Sequence, residues 1–172
     1  GLNSVLIRRL QEGDEHSRQA LEHFPVPAIA ERLIKRYFIA GGKAADAPYA
    51  LSPMYSVRPS QELLDLTVAA NFVEVWLAKH GHSGVVGINL LEKIQLPNLA
   101  SLYGAILADV DYVLMGAGIP REIPAALDAL ALNEPARLRI AVDDAEESFE
   151  MVFDPRTVVP ELQAPLRRPL FL

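Results

Sequence analysis

Asn89 and Lys93 stand at the end of an otherwise apolar run, a place where an amide and an ammonium group suit a ligand better than a core. The stretch GVVGINLLEKIQLPN, residues 84–98, carries Val85, Val86, Ile88, Leu90 and Leu91, with Glu92 beside Lys93. An amide offers a donor and an acceptor together and matches the edge of a heterocycle with alternating N–H and C=O groups. Lys93 can reach an anion. Both have plainer roles open to them: Asn89 can satisfy a backbone group within a sheet, and Lys93 can be a solvated loop charge. A second such end is VDYVLMGAG, residues 110–118, where Met115 is followed by Gly116, Ala117 and Gly118. These glycines serve a strand-to-helix turn, or let the backbone approach a flat ligand closely. GAGIPR is not a dinucleotide fingerprint, because the third glycine of that motif falls at Arg121.

No other group of residues completes a catalytic constellation. His16, His23, His80 and His82 have no Asp or Glu at metal-ligand spacing, and KHGHS at a helix end reads as capping or solvent-facing. DDAEE, residues 143–147, lacks the spacing of a calcium loop and reads as a solvated turn. The chain has no cysteine, hence no disulfide, thiolate site or thiol nucleophile. Neither GxSxG nor a P-loop occurs.

The elements that must position these residues read as α/β. Residues 4–23 pattern as a helix interrupted at EGDEHS, and residues 28–39 as a helix turning strand-like at Tyr37–Ile39. AGGKAADAPYALSPMYSVRPS reads as an irregular connection. Ser60 suits an N-cap and Gly81 a helix end. Leu64, Val68, Phe72, Val75, Trp76 and Lys79 recur at helical spacing between them, which predicts a helix over 61–80. Residues 84–91 follow as a nearly all-apolar strand, which predicts burial on both faces in a parallel sheet. A helix over 99–108, a strand over 110–118 and a helix from Pro120 to Ala131 complete the βα alternation. ARLRIAV and ESFEMVF then alternate strictly, Leu138, Ile140 and Val142 against Phe149, Met151 and Phe153, as an inserted hairpin turning at DDAE. Leu170, Phe171 and Leu172 read as the opening of a further strand after Pro169. The expected organisation is one domain over 1–172: a lead-in over 1–59, a βα core over 60–132, the hairpin over 136–154, and a strand start at 168–172. Both ends read as cut.

The chain has 172 residues, 51% of them hydrophobic, and a formal charge of −6 without a dense basic patch. One sizeable core is expected, and neither nucleic acid nor an anionic membrane surface is expected as the main partner. The absence of a long apolar run and of a leader-like start reads as a soluble, cytoplasmic protein.

The segment EVWLAKHGHSGVVGINLLEKIQLP together with DYVLMGAGIPREIP resembles the central portion of the long bacterial nitronate monooxygenases, flavoproteins once called 2-nitropropane dioxygenases. LIRRLQEGD, FPVPAIAERLIKRYFIAGGK and FDPRTVVPEL resemble the same family, so the likeness runs along essentially the whole chain. It implies a partial (β/α)8 TIM barrel, about strands 3 to 5 with their helices plus the hairpin, holding FMN and oxidising alkyl nitronates with O2 to a carbonyl compound and nitrite. It implies that Asn89 hydrogen-bonds the polar edge of the flavin ring, with Met115 and Gly116 near flavin or substrate and Lys93 and Gly118 beside them. None of the four histidines has the GGH context of the family's catalytic base, and the glycine-rich loops that bind the FMN phosphate are missing, so no catalytic residue is expected here. The chain alone is then expected to bind FMN poorly and, with open sheet edges, to associate with other copies. A flavin-dependent enoyl reductase on the same barrel and a non-catalytic interaction domain are the competing readings.

Overall fold

A computed structural model describes residues 1–118, 120–140, 149–163 and 165–172. Three helices lead in: α1 (Leu2–Gln11), α2 (Glu15–Glu22) and α3 (Pro27–Tyr37). The break between α1 and α2 is made by Gly13, which takes φ 77°, and by Asp14, whose carboxylate caps α2 by accepting the His16 and Ser17 N–H groups. Pro27 opens α3 where its missing N–H costs nothing. Phe38 is extended but Tyr37–Ile39 pair with no strand among the described residues, which corrects the strand-like reading of that segment. Apolar residues at the end of a helix pack there as helix residues do.

The long helix α4 (Gln61–Lys79) starts where the sequence places it, with Ser60 Oγ accepting the Leu63 N–H at 3.3 Å. It stops at His80, and Gly81 follows at φ 80°. It packs against α1, α2, α3 and α5 (Asn98–Leu107) and is buried nearly all round. On its outer side Trp76 lies between His23 and His80, the ring centroids 4.6 and 5.0 Å away.

Strands β1 (Gly87–Leu91) and β2 (Tyr112–Gly116) pair in parallel, Asn89 opposite Leu114 and Leu91 opposite Gly116. A short strand β5 (Leu170–Phe171) adds to the far side of β2, also in parallel, giving the order β1-β2-β5. The strand start read from LFL is therefore present. Helix α6 (Ile123–Ala131) begins three residues later than Pro120. After it, β3 (Ala136–Ile140) and β4 (Phe149–Phe153) form an antiparallel pair, with Leu138 opposite Met151 and Phe153 against Tyr103 of α5 at 5.6 Å. Val142 and the DDAE turn lie outside the described residues.

The expected two-faced burial of the first strand is corrected. Val85 is 72% exposed and Leu91 46%, and the strand begins only at Gly87. Val113 and Met115 of β2 are in the core, and Ile88 and Leu90 of β1 pack against it from the same face. Gly87, Asn89, Leu91, Leu114 and Gly116 occupy the opposite face, which no described helix covers. An apolar strand in a parallel sheet is usually read as covered on both sides. Here the described helices lie on one side alone.

The amino-terminal ends of the strands are tied by charge. Asp111 accepts the Val86 N–H at 2.8 Å, Lys79 at 3.2 Å and Arg167 at 2.9 Å; Asp109 accepts Arg167 at 2.5 Å. The Val86 hydrogen bond, with Lys79 and Arg167, holds the Asp111 carboxyl below its usual range; Arg167 does the same for Asp109. A group with a lowered folded pKa binds fewer protons than in the unfolded chain. Its contribution is complete above the unfolded value of about 3.9 and disappears as pH falls through the folded value. Asp111→Asn is expected to cost about 1–2 kcal/mol at pH 7. Its urea midpoint should then converge on that of the wild type as pH is lowered from about 5 to about 2.5.

Candidate functional site

The carboxyl ends of β1 and β2 form one rim, where loops lead into α5 and α6. On the open face near that rim, Asn89 and Gly116 project to the same side, one step apart in the register. The Asn89 side chain has no hydrogen-bond partner among the described residues and is exposed. A Cβ added at Gly116 would meet nothing within 4 Å, so the face is open above it. Lys93 lies in the turn after β1, exposed at the same end. The structure thus places Asn89 and Gly116 on one face, while Asn89 and Lys93 both line the cleft along β1.

Met115 goes elsewhere. It is opposite Leu90, on the helix-bearing face, and only 9% exposed. Side chains alternate along a strand, so a methionine next to an open-face glycine points into the core. Its neighbourhood to a ligand on the open face would be through backbone alone.

The turn after β2 is built differently from the glycine-based reading. The positive φ falls on Ala117, at 61°, and on neither Gly116 nor Gly118. Gly118 instead leaves room for Glu92, whose carboxylate oxygen would sit 2.1 Å from an added Cβ. An L residue other than glycine pays about 1 kcal/mol or more in this conformation. After the added freedom of the unfolded chain, Ala117→Gly is expected to stabilise by about 0.5 kcal/mol, read as a raised urea midpoint.

A larger cleft of about 990 Å³ opens along the outer edge of β1, walled by Ile88 and Leu90, by Val75 and Ala78 of α4, and by the start of α1. Thr67 and Asn71, one turn apart on α4, line it. The Thr67 hydroxyl donates to the Leu63 carbonyl at 2.7 Å and accepts from Tyr55 at 2.5 Å and from Asn3 at 2.9 Å. Burial pushes the Tyr55 hydroxyl up to about 12. Asn71 is 2% exposed; its amide donates to the Thr67 carbonyl at 2.9 Å, while its Oδ1 is buried without a partner. The sequence signal for this pair is two polar residues at i, i+4 inside an apolar helix, neither of them among the residues whose recurrence predicts α4.

The histidines serve helix ends: His82 Nε2 meets the Ala78 carbonyl at 2.6 Å and His23 Nδ1 the Gln19 carbonyl at 2.9 Å. Among the described residues no cluster of His, Asp or Glu could hold a metal ion, and no helix is long and apolar enough to cross a membrane. Comparison of the chain with protein-family models, with curated proteins and with solved structures yields no match.

Proposed function

We propose that this chain is one sector, about strands 3 to 5, of a (β/α)8 barrel that binds FMN and oxidises alkyl nitronates with O2 to a carbonyl compound and nitrite. The observation that carries it is the pairing of an unpartnered amide, Asn89, with an unobstructed glycine, Gly116, on the open face of a parallel sheet near its carboxyl rim. Parallel strands with helices on one side alone suit a barrel, whose other face turns inward. In such folds ligands are held at the carboxyl ends of the strands.

The donor and acceptor of Asn89 fit the alternating N–H and C=O groups at the polar edge of a flavin ring, and the space above Gly116 fits a flat ring system. Flavin, when bound, supplies the electron-transfer chemistry with O2. This chain's residues orient it: Asn89 fixes the ring edge, Gly116 admits its plane, and Lys93 places a cation at the rim for the anionic nitronate or flavin. No residue of this chain is assigned the proton abstraction. The setting proposed is the cytoplasm, and the family resemblance of the EVWLAKHGHSGVVGINLLEKIQLP and DYVLMGAGIPREIP segments adds to the reading.

The test is made on the gene product that carries these residues. It should quench FMN fluorescence on titration and release nitrite from an alkyl nitronate in air. Asn89→Leu is expected to weaken FMN about tenfold, the worth of one or two ring-edge hydrogen bonds, with an unchanged urea midpoint. Unaltered FMN affinity in that variant would defeat the assignment of Asn89. Rapid NADPH oxidation without nitronate turnover would favour the enoyl reductase.

A further inference from the structure

We infer that the small cavity between the turns after β1 and β2 binds a free aliphatic α-amino acid, its ammonium on Glu92 and its carboxylate on Arg121. The inference does not rest on the flavin reading: Asn89, Lys93 and Gly116 take no part in lining this cavity. It follows from two opposite charges left unpaired in one place and from the apolar floor beside them.

The cavity holds about 240 Å³. Its walls are the turn after β1, with Glu92 and Asn98, the approach to α6, with Arg121 and Glu122, and Arg139 of β3. Two of these four charged side chains satisfy each other: Glu122 accepts the Arg139 N–H at 2.7 Å and meets its guanidinium at 3.3 Å. The other two do not. Neither the Glu92 carboxylate nor the Arg121 guanidinium has a hydrogen bond or ion pair among the described residues, and they do not pair with each other.

Glu92 is held where it stands. Its N–H donates to the Gly116 carbonyl at 2.9 Å, and its carboxylate lies over Gly118, whose missing side chain leaves the room. A half-buried carboxylate fixed there without a donor calls for a ligand that brings N–H groups. Arg121, a planar fork of donors, calls for a carboxylate. Helices α5 and α6 both begin at this cavity without a side-chain cap, so the free N–H groups of their first turns favour the anionic end as well.

One molecule carrying both charges meets both groups at once, where two separate ions would each have to be held alone. The floor selects the rest of it. Ile123 and Leu138 line the cavity at 2% and 8% exposure and offer apolar contact. That suits an aliphatic side chain and leaves a third charge without a partner. The volume falls below the range of about 300–1,000 Å³ typical of pockets for drug-sized molecules. A nucleotide or a peptide is therefore too large, and a molecule the size of valine fits.

Calorimetric titration of the chain with L-valine tests this. Saturable binding is expected, with a Kd of about 1 mM or tighter. Isovalerate, which lacks the ammonium, and isobutylamine, which lacks the carboxylate, should each bind at least about tenfold more weakly. Glu92→Gln and Arg121→Gln should each weaken L-valine by about tenfold or more while keeping the wild-type urea midpoint. Gly118→Ala should weaken it similarly, because the added methyl group displaces the Glu92 carboxylate. No saturable heat up to about 20 mM L-valine overturns the inference, as does full affinity in any of the three variants. Isovalerate binding as tightly as L-valine overturns it too, and makes the cavity a site for anions alone. L-Valine binding and FMN binding are read separately, so either proposal can fail without the other.

Discussion

Gly104→Ala is expected to destabilise the chain by about 2–4 kcal/mol, although alanine is the better helix former. The reason lies in how closely α5 crosses α4. A Cβ at position 104 would stand 2.2 Å from the Val68 carbonyl oxygen and 3.0 Å from the Val68 carbonyl carbon and from Asn71 Cβ. Backbone cannot swing aside as a side-chain end can, so the two helices must part. They part from a core in which Leu99, Leu102, Tyr103 and Ile106 are almost wholly buried, and every contact across that seam loosens together. The roughly 1 kcal/mol that alanine gains in a helix offsets only part of this. Urea unfolding at pH 7 checks it, and a midpoint at or above the wild type would show that the helices tolerate separation.

Gly116→Leu should do the reverse: leave the fold within about 0.5 kcal/mol of the wild type and remove flavin binding from the gene product by about 100-fold or more. Position 116 has no positive φ, and no atom lies within 4 Å of an added Cβ, so leucine enters open space at the end of β2. It would stand opposite Leu91 in the register and one step beyond the Asn89–Leu114 pair, filling the space proposed for the flavin plane. A leucine that the fold accepts but the ligand does not separates binding from stability. The check is FMN fluorescence titration beside urea unfolding of the same sample. Undiminished FMN affinity would move the flavin off this face.

Much of the helical layer was legible in the residues. Ser60, Gly81 and the spacing between them mark α4 because caps and periodicity act locally. The strict alternation of ARLRI and FEMVF places Leu138, Met151 and Phe153 on one buried face for the same reason. The open face of β1 was not legible. A run of Val, Ile and Leu is the same string whether a second helix layer or the inside of a barrel lies beyond it, since both exclude water. Met115 was misplaced by position in the motif, where parity along the strand decides the matter: its neighbour Gly116 looks out, so Met115 looks in. Asn71 shares the face of Leu64, Val68 and Val75, seven, three and four residues away, but as a polar residue it adds nothing to an apolar periodicity, and only the cleft gives it meaning. Gly104 carried a signal that could have been used, a glycine inside an otherwise strong helix, which marks close approach of another backbone.

Trp76 is the chain's single tryptophan, and its indole is sandwiched by imidazoles from the end of α2 and the end of α4. Its emission is therefore expected to change when the end of α2 leaves α4, which makes it a local gauge of that docking. A fluorescence melt would date the release of the lead-in helices, and an experimenter following the strands should add a second optical label near Tyr112 before inferring that both go together.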